Sequence, residues 1–240
     1  MARGRSGGRP PGREVVSGFR KEGRALWTLN ATPRRAVYGE NLRRTSEGEW
    51  RRWDPNRSKL GAALIRTAEY PSDLLPEPGS HVIYLGAGHG TTVSHLHDIV
   101  CGEGNHQQGR ILAVDLAPRC LRDLNHLARM RPGLVPLLCD ARKHTMVAAL
   151  QPRRVPWLFQ DVAQASQVEI FIAASLRFLE SGGDGLFSLK AASERWHEEG
   201  ERSLFDKVSG IIEESELQLV QRIDLAGYED NHMLYHCRKP

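Results

Sequence analysis

The chain has 240 residues, of which 40% are hydrophobic and 26% charged, which suits one sizeable soluble domain with a small extension. No apolar run approaches the roughly 20 residues that cross a bilayer, and no signal-peptide core follows Met1, so neither a helical membrane anchor nor a secretory leader is expected. The net charge of +4 hides an asymmetry: residues 1–57 carry 14 basic and six acidic side chains, the remainder 19 basic and 23 acidic.

A basic N-terminal quarter suits attraction to a polyanion such as RNA, and equally a solvated Arg-rich surface; charge alone does not choose. Residues 1–13 hold mostly Arg, Gly, Ser and Pro and read as a disordered tail. Residues 14–55 alternate short apolar pieces, such as Val15-Val16, Ala25-Leu26-Trp27 and Ala36-Val37-Tyr38, with turn-prone polar ones. They predict a small β-rich subdomain. Arg57–Thr67 reads as a helix, with Leu60, Ala63, Leu64 and Thr67 on one face.

Residues 56–240 form the second unit, and from His81 strands and helices alternate. The strands are His81–Leu85, Arg110–Asp115, Leu134–Leu138, Val155–Asp161, Gly185–Lys190, Leu217–Leu225 and His232–Arg238. The helices are Thr91–Val100, Pro118–Met130, Gln164–Leu179 and Glu198–Glu214. This alternation predicts an α/β, Rossmann-like, mostly parallel sheet covered by helices on both faces. Cys101, Cys120, Cys139 and Cys237 lack Cys-x-x-Cys spacing, and His89, His95 and His97 complete no ligand set, so no metal is expected.

Chemistry is expected beyond the carboxyl ends of the strands. Gly86, Gly88 and Gly90 fall between the first strand and its helix, where missing side chains let backbone approach a ligand. Thr91 and Thr92 then open the helix, with hydroxyls and N–H groups able to face a polar group. The G-x-G-x-G spacing brings the third glycine one position early for the dinucleotide fingerprint, which disfavours a nicotinamide-dependent oxidoreductase. Asp115 ends the second strand, where these folds place an acid on ribose hydroxyls. Asp140 follows the third, placed for a nucleobase amino group or, equally, for a turn.

Several blocks carry a resemblance. Trp53-Asp54-Pro55-Asn56-Arg57-Ser58-Lys59-Leu60 is followed by Tyr84-Leu85-Gly86 and by Gly90-Thr91-Thr92-Val93-Ser94-His95. Further on come Ala117-Pro118-Arg119, Arg122-Asp123-Leu124, Asp140-Ala141-Arg142, Asp161-Val162-Ala163-Gln164 and Ser188-Leu189-Lys190-Ala191. In this order, across residues 35–235, they resemble the fibrillarin family.

The resemblance implies a class I methyltransferase fold whose last strand is antiparallel. It also implies S-adenosylmethionine-dependent ribose 2′-O-methylation of rRNA, and of tRNA, in box C/D guide ribonucleoproteins. Guide and target RNA, a Nop-family scaffold and a kink-turn-binding ribosomal-protein relative are the partners implied. The compartment is the cytoplasm for an archaeal-type protein, favoured by the short tail, and the nucleolus for a eukaryotic one. Cofactor contacts carry over to Thr91 and Thr92, to Asp115 with Leu116, to Asp140 with Ala141, and to Asp161, Val162, Ala163 and Gln164. The catalytic tetrad maps onto Lys59, Asp161, Lys190 and His232.

Within that frame, a buried Lys190 would stabilise alkoxide developing on the 2′-oxygen, and Asp161 would keep Lys190 charged. Lys59 would share the charge balance or anchor a phosphate, and His232 would accept or orient a proton. Departures from the family pattern are Asp115 for Glu, Asn231 for Asp, the inserted Gly102–Gly109, no acid within 155–160, and His89 inside the glycine loop, where it would crowd the cofactor. They leave as the alternative a catalytically weakened structural subunit of the same particle.

Overall fold

The computed structural model describes residues 8–191 and 201–240. The first five strands are β1 (Arg13–Val16), β2 (Phe19–Glu22), β3 (Ala25–Leu29), β4 (Leu42–Thr45) and β5 (Gly48–Trp53). They make an antiparallel sheet in the order β1-β2-β3-β5-β4. Of the expected tail, residues 1–7 lie outside the described residues. Residues 8–12 are placed, and Gly8 bridges to Thr45.

A 3₁₀ turn, Pro55–Arg57, leads into helix α1 (Lys59–Arg66), two residues shorter at its start than the expected 57–67. Ser58 sets that boundary, because its hydroxyl caps the helix by accepting from the Gly61 N–H at 3.0 Å.

The rest alternates β6 (His81–Leu85), α2 (Thr91–Val100), β7 (Arg110–Asp115), α3 (Pro118–Ala128), β8 (Leu134–Leu138), α4 (His144–Leu150) and β9 (Val155–Gln160). Then come α5 (Gln167–Phe178), β10 (Leu179–Lys190), α6 (Glu201–Glu213), β11 (Gln218–Asp224) and β12 (His232–Arg238). The seven strands run β11-β12-β10-β9-β6-β7-β8, with β12 antiparallel to both its neighbours. Pro136 is tolerated because β8 is an edge strand that pairs with β7 alone.

Three expectations change. Helix α5 starts at Gln167 rather than Gln164, because Ser166 takes a left-handed conformation (φ 62°) that a helix cannot include. Strand β10 begins at Leu179, six residues before the expected Gly185. Helix α4 was not expected; it has seven residues and no side-chain cap. The first three residues of the helix expected over 198–214 lie outside the described ones.

Side chains alternate along the strands, as period-2 geometry requires. Val82 and Tyr84 of β6 join one apolar cluster, Ile83 and Leu85 the other. The first cluster holds Leu60 and Leu64 of α1, Val93 and Leu96 of α2, and also Phe19, Leu26 and Trp53 of the small sheet. The N-terminal sheet therefore shares its core with one face of the large sheet. Phe171 and Phe178 of α5 and Val147 of α4 cover the other face.

Candidate active site

The glycine loop is built by three left-handed residues, Gly86 (φ 79°), Gly88 (φ 58°) and Gly90 (φ 92°). Two of them face protein. A Cβ at Gly86 would overlap the carbonyl oxygen of Asp161, and one at Gly90 would press on Leu127 at 2.9 Å. Gly88 differs: a Cβ there would meet nothing within 4 Å among the described residues, so its left-handed turn opens away from them.

Asp115 shapes that space from the end of β7. Its two oxygens accept from the Gly88 and Ala117 N–H groups, each at 2.8 Å, and the carboxylate keeps acceptor capacity for a ligand hydroxyl. Leu116 beside it is 55% exposed, an apolar surface amid polar loops. Asp140 follows β8 and is held by Arg142, whose guanidinium reaches it at 2.6 Å. The Arg142 hydrogen bond, with a further one from Gln164, holds the Asp140 carboxyl down at about 2. Ala141 and Val162 are buried beneath, while Ala163 is exposed.

An open glycine turn, an acid with spare lone pairs and an exposed leucine beside it fit a nucleoside carrying an adjoining polar tail. S-adenosylmethionine is such a ligand. Thr91 and Thr92 divide their work. Thr92 is buried and its hydroxyl lies 2.9 Å from that of Ser58, fastening the start of α1 to the start of α2. Thr91 stays partly accessible.

The tetrad residues come from four separate places and meet. Lys59 is the first residue of α1, and its ammonium lies 3.0 Å from an Asp161 carboxylate oxygen. Asp161 extends β9 by one residue, donating its N–H to the Leu85 carbonyl at 2.8 Å. Burial raises the Asp161 carboxyl above its ordinary range, while Lys59 and then His232 oppose the shift. Lys190 and His232 stand opposite one another in the β10–β12 register. Lys190 turns its backbone groups to Gln167, away from β12. The two therefore form the non-hydrogen-bonded kind of pair, in which side chains lie closest.

Two sequence expectations are corrected here. Asp161 pairs with Lys59 and not with Lys190. Lys190 is exposed rather than buried, because β10 carries it beyond the end of β9. His232 is 7% exposed, with Nδ1 2.8 Å from the Asp230 carbonyl oxygen. A carbonyl only accepts, so neutral His232 carries its proton on Nδ1 and offers the Nε2 lone pair.

Three of the departures are accommodated locally. His89 does not crowd the loop; it turns outward to α3, with Nδ1 2.6 Å from Asp123. Asn231 sits at φ 62°, which Asn tolerates better than most residues, and its carbonyl accepts from the Ala191 N–H at 3.1 Å. The inserted Gly102–Gly109 joins the end of α2 to the start of β7, at the opposite end of the sheet from the glycine loop.

Sequence reasoning missed the groups that hold this site in place. Asp98 of α2 is fully buried and accepts from Arg51 (2.8 Å), Arg131 (2.7 Å), Thr28 (2.7 Å) and the Ala31 N–H (3.0 Å). Arg51 also pairs with Glu40. His95, one turn earlier, stacks on Trp53 with ring centroids 4.8 Å apart and 6° between planes. It also contacts the Thr28 and Tyr38 hydroxyls at 2.7 Å. The small sheet is thus bolted to the helix that follows the glycine loop. Its last strand leads directly into the segment bearing Lys59.

In a dinucleotide-binding sheet the sixth strand lies beside the fifth and all run parallel. Here β12 inserts antiparallel between β10 and β11, and with the short-spaced glycine loop this defines the Rossmann-like fold of class I methyltransferases. The chain belongs to the fibrillarin family, whose model, "Fibrillarin", matches residues 14–239.

It is 40% identical over 214 residues to the "Fibrillarin-like rRNA/tRNA 2'-O-methyltransferase" of Thermococcus onnurineus, covering 89% of each chain. Among solved structures it is 30% identical to Aeropyrum pernix fibrillarin in complex with natively bound S-adenosyl-L-methionine (TM-score 0.78; 95% of this chain, 96% of that one). It is similarly 30% identical to a chain of a fibrillarin/Nop5p complex (TM-score 0.80; 95% and 100%).

Proposed function

We propose that this protein is an S-adenosylmethionine-dependent RNA ribose 2′-O-methyltransferase acting on rRNA and tRNA within a box C/D guide ribonucleoprotein. One observation carries the reading: Lys59, Asp161, Lys190 and His232 converge at the strand ends beside an open glycine turn. Its relatives' names and the cofactor bound to the Aeropyrum pernix protein support the reaction and the cofactor.

When bound, S-adenosylmethionine supplies a methyl group made electrophilic by its sulfonium. Gly88, Asp115, Leu116 and Asp140 would hold it. The protein's remaining task is to align a ribose hydroxyl and manage one proton, and alignment alone supplies much of the rate. The exposed Lys190 ammonium stabilises negative charge developing on the 2′-oxygen. The His232 Nε2 lone pair takes the hydroxyl proton. Asp161, neutralised by Lys59, orients the reacting groups without leaving a bare buried charge.

A Nop-family scaffold is the first partner, as in the fibrillarin/Nop5p complex. Guide RNA and a kink-turn-binding protein complete the proposed particle, and its proposed place is the cytoplasm for an archaeal-type protein and the nucleolus for a eukaryotic one. The basic N-terminal quarter of the sequence supports contact with RNA. Reconstituted particles and the protein alone would be compared for methyl transfer from S-adenosylmethionine to a guided RNA. Transfer by the particle at the guided nucleotide is expected. A particle that binds S-adenosylmethionine and transfers nothing would leave the structural-subunit reading.

A further inference from the structure

The end of β10 poses a backbone problem. Strand β9 stops at Gln160, opposite Phe187, whereas β10 continues through Ser188 and Leu189 to Lys190. On that side Lys190 has no neighbouring strand among the described residues, and its N–H and C=O need other partners. Gln167, the first residue of α5 and fully buried, supplies both. Its Oε1 accepts from the Lys190 N–H at 3.2 Å, and its Nε2 donates to the Lys190 carbonyl at 3.2 Å. A carboxamide carries one acceptor and one donor group in a plane, the same pair that a strand residue would present.

Gln167 is itself held from the other side. The Gln160 side-chain amide donates to the Gln167 carbonyl at 2.7 Å. Gln160 is fully buried and immediately precedes Asp161. A single chain of hydrogen bonds therefore runs from the residue before Asp161, through Gln167, to the backbone of Lys190.

We infer that Gln167 is a positioning residue for the methyl-transfer reaction, acting as a one-residue substitute strand that fixes Lys190 relative to Asp161. The inference rests on the proposed activity for its kinetic consequence, but its geometric content stands apart. Lys190 is exposed, so packing does little to fix it, and its own backbone groups point away from β12, so the Gln167 anchor holds them. Displacing a reacting group by about 1 Å can cost on the order of a hundredfold in rate.

The test uses the full chain, assembled in the particle for kinetics and alone for hydrogen exchange. Gln167→Met keeps the length and removes both hydrogen bonds. It should lower kcat between about tenfold and a hundredfold while S-adenosylmethionine affinity stays within about twofold. The Lys190 backbone amide should also exchange faster than in the parent. Gln167→Glu supplies the second readout. As a carboxylate it can accept but not donate, whereas the protonated acid restores both roles. Its kcat relative to the parent at the same pH should therefore rise as pH falls.

Unchanged Lys190 exchange in Gln167→Met, kcat near the parent's, or a Gln167→Glu ratio flat with pH would each overturn the inference. Should Gln167→Met not fold, the Gln167→Glu ratio and its Lys190 exchange decide. If the parent particle transfers no methyl group, the activity reading fails instead, and the exchange measurement still decides whether Gln167 holds Lys190.

Discussion

The Lys59 ammonium lies 3.0 Å from the Asp161 carboxylate, joining the first turn of α1 to the end of a central strand 102 residues away. The pair is partly buried, with side-chain exposures of 23% and 20%, so its charges are screened less than on an open surface. Each charge relies on the other. Asp161→Asn should therefore lower methyl transfer by at least about a hundredfold, the usual range for removing one preorganised electrostatic group. Lys59→Met should do likewise, and the double variant should be little worse than either single one. Additive losses in a double-mutant cycle would show that the two act separately.

Gly86 and Gly88 have similar backbone angles and face different neighbours, which gives a pair of opposite expectations. Alanine at Gly86 would collide with the Asp161 carbonyl, so Gly86→Ala should unfold the loop and lower the melting temperature by several degrees. Alanine at Gly88 meets no atom of the described residues and incurs left-handed strain of about 1–2 kcal/mol. Its methyl instead enters the space assigned to the cofactor. Calorimetry should find Gly88→Ala folded but at least about tenfold weaker for S-adenosylmethionine. Undiminished affinity would remove Gly88 from the site.

The sequence made the strand ends legible and left the supports hidden, for a physical reason. Strands β6, β7, β8 and β12 fall at their expected limits because apolar runs bounded at one end by Gly, Asp or Asn mark where chain enters or leaves a sheet. The first half of β10 contains Ser181-Gly182-Gly183, which reads as a turn. The structure accommodates it through a register shift between Leu179 and Asp184. On α2, Ser94, His95, His97 and Asp98 look like a solvated face; all are buried, because Thr28 and Arg51 of the small sheet and Arg131 beyond α3 cover them with polar partners of their own. Arg51 and Asp98 are 47 residues apart, and no local pattern announces such a contact. For the tetrad, motif matching picked out residues that the structure brings together but gave Asp161 the wrong lysine, since which ammonium an acid meets is decided by packing.

Asp98 shows what those hidden supports contribute. Burial opposes its charge, yet Arg51 and Arg131 outweigh burial and hold the carboxyl well below the ordinary range. Asp98→Asn would leave two buried guanidiniums short of charge, a defect that costs about 3–5 kcal/mol. Urea unfolding should show a loss of that size. Asp123→Asn, which disturbs an exposed cluster on α3, should stay within about 0.5 kcal/mol of the parent. Equal effects would mean that the buried network does not tie the small sheet to α2.

The same network makes stability depend on pH. His97 is fully buried, with Nε2 2.8 Å from the Pro132 carbonyl and Nδ1 3.2 Å from an Arg131 nitrogen. The neutral ring fits both contacts, donating from Nε2 and accepting at Nδ1. Burial, then Arg131, pushes its pKa from 6.5 down to about 4. A depressed folded-state pKa means that the unfolded chain binds the proton first. Stability from this group is therefore complete above about pH 6.5 and declines as pH falls toward 4, where the folded ring also protonates. A shift of that size corresponds to about 3 kcal/mol. His95 is shifted in the same direction by burial and Arg51, so it steepens the decline. Urea unfolding across pH 4 to 7 should show stability falling toward the acid end. His97→Asn should be less stable at pH 7 and show a shallower slope, because one of the rings with a lowered pKa is gone. A slope equal to the parent's would place the acid sensitivity elsewhere in the chain.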